Sequence, residues 1–77
     1  MLEQIYEILS DCCPDIDFQN ETALVDDGLL ESLDIVMIVN EFAEAFDVRI
    51  GVDDLLPENF NSAASMMALI ERLQGDE

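Results

Sequence analysis

Three stretches of this chain place their apolar residues three and four apart, the spacing that lines one face of an α-helix. In the first, Leu2, Ile5, Tyr6, Ile8, Leu9 and Cys12 share a face, with Glu3, Glu7 and Asp11 largely opposite. Pro14 ends the pattern, because proline disfavours helical geometry in the residue before it. The spacing predicts a helix over residues 2–13. The second stretch, residues 32–47, is the strongest. Leu33, Val36, Met37, Phe42 and Phe46 recur together with Ile35, Ile38, Val39, Ala43 and Ala45. Its first two turns are apolar nearly all round, and its second half turns Asn40, Glu41, Glu44 and Asp47 outward. The third runs from Ser62 to Gln74, with Met66, Met67, Leu69, Ile70 and Leu73 as its core face. Asn61 or Ser62 can cap its start, and Gly75 can close its end. Between the second and third stretches, Val48 to Ile50 is the only segment that could be a strand. Asp53 to Phe60 holds at most a short helical turn, with Pro57 suited to its first position. These elements define an all-α fold: an irregular four-helix bundle, three main helices and one short one, as a single domain over residues 1–77.

Residues 14–31 carry no period. Asp15, Asp17, Gln19, Asn20, Glu21, Asp26, Asp27 and Gly28 read as a long connection, punctuated by Ile16, Phe18, Leu24, Val25, Leu29 and Leu30. Structureless loops of this length are uncommon in small domains and are often functional. The apolar anchors imply that this one packs across the bundle. Asp15-x-Asp17-x-Gln19 opens like a calcium loop. Its sixth position is Asn20 rather than the glycine the turn needs, and its twelfth is Asp26 rather than glutamate, so no metal site is expected.

Charge narrows the functions available. The chain has 19 acids against two bases, Arg49 and Arg72, for a net charge of −17, with no lysine and no histidine. Such a field repels nucleic acid, whose binding needs lysine and arginine at the phosphates. It repels anionic membrane surfaces and attracts basic protein patches. No apolar run approaches the roughly 20 residues of a membrane span. The N-terminus has no basic residue of a targeting peptide. A cytoplasmic, monomeric protein without membrane insertion is expected. The adjacent Cys12 and Cys13 are poorly placed to pair with each other. Without histidine they cannot complete a zinc site, and at least one is expected to fill the core.

The candidate functional residue is Ser32, where the long connection enters the second helix in Gly28-Leu29-Leu30-Glu31-Ser32-Leu33-Asp34-Ile35-Val36. Serine catalysis needs a base within reach, and the chain lacks both histidine and lysine. The glycines of a nucleophile elbow are also absent. An enzyme is therefore not expected. Ser32 would serve well as an N-cap, with Asp34 favourable to the helix dipole. A cap does not account for Leu29, Leu30, Leu33, Ile35, Met37 and Ile38 crowding around it. In so small a chain some must be exposed, making an apolar patch rimmed by acids. A third role is attachment: a hydroxyl at a helix N-terminus can carry a phosphodiester, stabilised by free N–H groups.

The Glu31-Ser32-Leu33 segment, the helix order and the charge together resemble the acyl carrier protein family, in which an Asp-Ser-Leu motif opens the second helix. Ser32 falls on the attachment serine and Leu33 on the following leucine, while Glu31 replaces the usual aspartate. Asp34-Ile35-Val36 matches a stretch often written Asp-x-Val. Glu41 to Ile50 looks like the acidic end of the family's second helix. Gly28 stands four places before the serine rather than three, a spelling similar to D-alanyl carrier proteins. The resemblance implies a covalent 4′-phosphopantetheine on Ser32, moved from coenzyme A by a phosphopantetheinyl transferase. It also implies an acyl or aminoacyl cargo held as a thioester. The partners implied are acyl- or aminoacyl-activating and acyl-transferring enzymes with basic docking patches, in fatty-acid, polyketide-like or related biosynthesis. Leu33, Met37 and Ile38 would supply the apolar docking surface, and Glu31, Asp34, Glu41 and Glu44 the steering charge. Leu29, Leu30, Phe42, Phe46, Ile50, Met66 and Ile70 are expected in the core. The alternative is an unmodified acidic helical adaptor for a basic protein, in which Ser32 stays bare.

Overall fold

Four α-helices and one 3-10 turn make up the regular structure of the computed structural model, which describes residues 2–75. Helix α1 spans Leu2–Cys12, α2 spans Ser32–Phe46, α3 spans Pro57–Phe60 and α4 spans Ala63–Gly75. A 3-10 turn, Val52–Asp54, precedes α3. Among the described residues there is no strand, and Val48 to Ile50 is an irregular connection. The architecture is the expected helical bundle with a long α1–α2 loop.

The helix ends follow local chemistry. Pro57 occupies the first turn of α3, where its missing N–H costs no helical bond. Ser62 caps α4: its Oγ accepts the Ser65 N–H at 3.1 Å, and its carbonyl accepts the Met66 N–H at 3.1 Å. Of the two capping candidates Ser62 is therefore the cap, and Asn61 is free for another role. Gly75 is the last described residue of α4 rather than a closing residue beyond it. At the end of α2, Asp47 takes the left-handed conformation, with φ 54° and ψ 48°. Gln74 reaches across to donate to the Phe46 carbonyl at 3.4 Å, satisfying one of the carbonyls that a helix end leaves open.

Helix α1 packs on both α2 and α4, and α3 packs on α4. Each contributes to one core: Ile5 and Leu9 from α1, Ile38 and Phe42 from α2, Phe60 from α3, and Ala63, Met66, Leu69 and Ile70 from α4. Phe46 meets Phe42 edge to face, with ring centroids 5.8 Å apart. The long loop is part of this core, since Phe18, Leu24 and Leu30 are buried within it. The radius of gyration, 11.3 Å, equals the roughly 11.5 Å of a fully packed chain of this length, so the loop does not extend the molecule. No polar or charged residue is buried among those described.

Asp47 carries two local penalties. An L-residue is strained in the left-handed region, and a carboxylate opposes the negative end of the helix dipole. Asp47→Gly removes both and is expected to raise the unfolding free energy by about 1 kcal/mol in urea titrations. Asp47→Asn removes only the charge and should gain less.

Candidate functional site

The entry to α2 is built by a turn, a cap and a serine. Residues 24–28 form a single turn, in which Asp27 N–H donates to the Ala23 carbonyl at 2.7 Å and Gly28 N–H to the Val25 carbonyl at 3.0 Å. Gly28 ends that turn at φ 76°, where a side chain would be strained although space is open around it. The chain then doubles back. Leu29 and Leu30 N–H groups both donate to the Leu24 carbonyl, at 2.9 and 3.0 Å. Leu30 enters the core, and the next residue begins the helix.

That next residue is the cap. Glu31 is extended, with φ −99° and ψ 171°, and its carbonyl accepts the first helical bond, from Ile35 N–H at 3.0 Å. Asp34 Oδ2 accepts the Glu31 N–H at 3.1 Å, closing the entrance from inside the first turn. Ser32 is consequently the first residue inside the helix and not its N-cap, which corrects the capping role its sequence position suggests. The two positions differ by one residue, and the Asp34 bond to Glu31 fixes which is used. Ser32 is exposed, and no side-chain hydrogen bond of the described residues engages its hydroxyl. The first-turn N–H groups beside it have no partner within the helix and carry the positive end of the dipole.

The exposed face of α2 continues from this serine. Leu33, Val36, Met37, Asn40, Glu41 and Glu44 are exposed at helical spacing, so they form one stripe. Leu33 is 78% exposed, Val36 50% and Met37 44%, large values for apolar residues on so small a protein. Ile38 is fully buried and belongs to the core, which removes it from the surface expected of it. Val36 takes the place on the exposed face. Leu29 is exposed rather than buried, because the Gly28 turn sends Leu30 inward in its stead. Leu30, Phe42, Met66 and Ile70 are buried as expected, and Phe46 and Ile50 pack against the core at partial burial. A further apolar group, Val52, Leu55 and Leu56, is exposed between α2 and α3. That segment has no helical period, so its sequence gave no sign of a surface.

The acids are not equivalent. Glu31, Glu41 and Glu44 are exposed, whereas Asp34 is half-buried and committed to the Glu31 amide. Asp34 also acts on the thiols behind it. Burial pushes the Cys13 thiol above its ordinary pKa, and the charge of Asp34 and a hydrogen bond to it push further. Burial likewise raises Cys12, followed by the charges of Glu41, Asp11 and Asp34. Both cysteines are free and held as neutral thiols at neutral pH, which makes them poor nucleophiles. No family model matches the sequence, and a search of curated proteins gives no match.

The thiol shifts have a measurable sign. A raised folded-state pKa favours the folded protein below the ordinary thiol value of 9.0, and the benefit is lost as pH rises through the folded values. Iodoacetamide labelling followed by mass spectrometry at pH 8 should be slower than for an unstructured cysteine peptide. Asp34→Asn should accelerate labelling at Cys13 more than at Cys12.

Proposed function

We propose that this protein is a carrier whose Ser32 hydroxyl holds 4′-phosphopantetheine. The observation that carries this reading is the division of labour at the start of α2. Glu31 and Asp34 make the cap, leaving an exposed serine hydroxyl with no structural task at the positive end of the helix dipole. The residues present fit the group. Ser32 Oγ would hold it covalently, and the N–H groups of the first turn would face its phosphate. The carboxylate inside the first turn, Asp34, already accepts a hydrogen bond from Glu31 N–H. When bound, the group supplies a thiol that carries an acyl or aminoacyl cargo as a thioester on a flexible tether.

The protein's own residues handle partners. Leu33, Val36 and Met37 offer apolar contact area beside the serine, and Glu31, Glu41 and Glu44 supply negative charge around it. An enzyme with a basic rim and an apolar centre is complementary to this face. A phosphopantetheinyl transferase and the enzymes that load and unload the cargo are the partners of this kind. The chain contributes presentation, not bond breaking, since it holds no histidine or lysine to act as base. An unmodified acidic adaptor would use the same exposed stripe and would leave Ser32 bare.

Incubation with coenzyme A and a broad-specificity phosphopantetheinyl transferase should raise the intact mass of the wild-type protein by one phosphopantetheine. Ser32→Ala should show no gain. Because Ser32 is not the cap, this substitution should change stability by less than about 0.5 kcal/mol. Asp34→Ala, which opens the cap, should cost about 1 kcal/mol. A folded wild-type protein that several such transferases leave unmodified would sink the carrier reading in favour of the adaptor.

A further inference from the structure

Asn61 makes more long-range polar contacts than any other described side chain, and all of them go to one turn. It lies between α3 and α4, at partial burial. Its backbone carbonyl accepts the Leu24 N–H at 2.8 Å. Its side-chain Oδ1 accepts the Val25 N–H at 2.9 Å and the Asp26 N–H at 3.0 Å. Its Nδ2 donates to Asp26 Oδ2 at 3.2 Å. One residue thus satisfies three consecutive amides and one carboxylate in a loop that is remote in sequence.

The chain of bonds continues to the serine. The Leu24 carbonyl receives Leu29 and Leu30, Leu30 is buried, and the following Glu31 amide is held by Asp34. Hydrogen bonds and the buried Leu30 thus run from Asn61 to Glu31, the residue before Ser32. Helix packing links α2 to α4 chiefly through α1, and the bond from Gln74 to the Phe46 carbonyl holds the far end of α2 rather than its start. The loop adds a direct hydrogen-bonded tie from the start of α2 to the α3–α4 junction. We infer that Asn61 is a positioning residue for Ser32, holding the turn that sets where the hydroxyl is presented relative to the rest of the protein. This rests on the carrier reading for its functional consequence. Ser32 stands in the first turn of α2, which the loop anchors through Leu30, whereas the stripe continues down a helix held in the core by Ile38 and Phe42, so loosening the clamp should leave partner affinity largely alone and disturb the placement of the reacting oxygen.

The test uses Asn61→Ala, Asn61→Asp and the double variant Asn61→Asp/Asp26→Asn, each at a temperature where circular dichroism shows it folded. The readouts are steady-state phosphopantetheine transfer from coenzyme A and amide hydrogen exchange at Leu29, Leu30 and Ser32. For Asn61→Ala, kcat should fall by roughly tenfold, as expected of a misplaced reacting group, with KM changed by less than about twofold. Exchange at Leu29 and Leu30 should quicken. Asn61→Asp keeps the acceptor for Val25 and Asp26 but sets a carboxylate against the Asp26 carboxylate, so its loss should be smaller and should shrink as salt rises. The double variant reverses donor and acceptor and should recover both rate and protection. Wild-type kcat together with unchanged exchange in the folded single variants would overturn the proposal. So would a double variant that recovers stability but not kcat. If Asn61→Ala does not fold, the comparison of Asn61→Asp with the double variant decides. If the wild type itself accepts no phosphopantetheine, the carrier reading fails on its own. Exchange at Leu29, Leu30 and Ser32 then still decides whether Asn61 holds the serine's turn.

Discussion

Burial of Leu24 and Leu30 is the contact on which the rest of the site depends. These two side chains draw the long loop down onto the helices, and the short turn between them then has only one way to run. Gly28 supplies the left-handed residue that closes that turn, so Leu29 is expelled and Leu30 is taken in. The helix that follows must start at the next residue, and its serine must sit at the rim of the core. A small chain cannot leave so much of its apolar content outside the core, because it has few other side chains to replace it. The loop is therefore a structural element in spite of its lack of period.

Much of this was legible before any coordinates. Period fixed the three main helices within a residue or two, and Pro57 and Ser62 marked starts by their own chemistry. The failures share a cause: neighbouring residues compete for one place. Ser32 is the better cap by type, yet Glu31 takes the position because Asp34 lies three residues on from it as a reciprocal partner. Ile35 to Val39 is an unbroken apolar run, so period cannot decide its rotation, and Ile38, expected on the docking face, is buried while Val36 is exposed. Leu29 and Leu30 differ only in their place after a glycine whose positive φ is set by the turn. Asn61 and Ser62 were equal candidates for one cap, and packing gave them two distinct tasks. The surface at Val52, Leu55 and Leu56 had no pattern to announce it.

Placement also separates the roles of the acids, which composition cannot do. Asp34 is half-buried, bonded to Glu31 and close enough to Cys13 to add to the upward push that burial gives its thiol. Its charge is spent inside the molecule. Glu41 and Glu44 are exposed on the same helix and are available for steering. A neutral, half-buried thiol is also a chemically quiet one. In the proposed carrier that quietness would matter, because a reactive cysteine near Ser32 would compete with the arm's own thiol for cargo.

The net charge of −17 opposes folding and favours association through the same Coulomb energy. With no buried polar or charged residue among those described, every one of these acids with a described environment keeps contact with solvent. Their mutual repulsion is therefore screened rather than relieved by pairing, and only two arginines are present to pair with. A basic partner that docks on α2 would lower this self-repulsion as it binds. Any ligand that binds only the folded state adds its binding free energy to stability. In the proposed carrier the acids would therefore weaken the free protein slightly and strengthen each transient complex. Their exposure keeps each contribution small, so the complexes would form quickly and release readily, as delivery to successive enzymes requires.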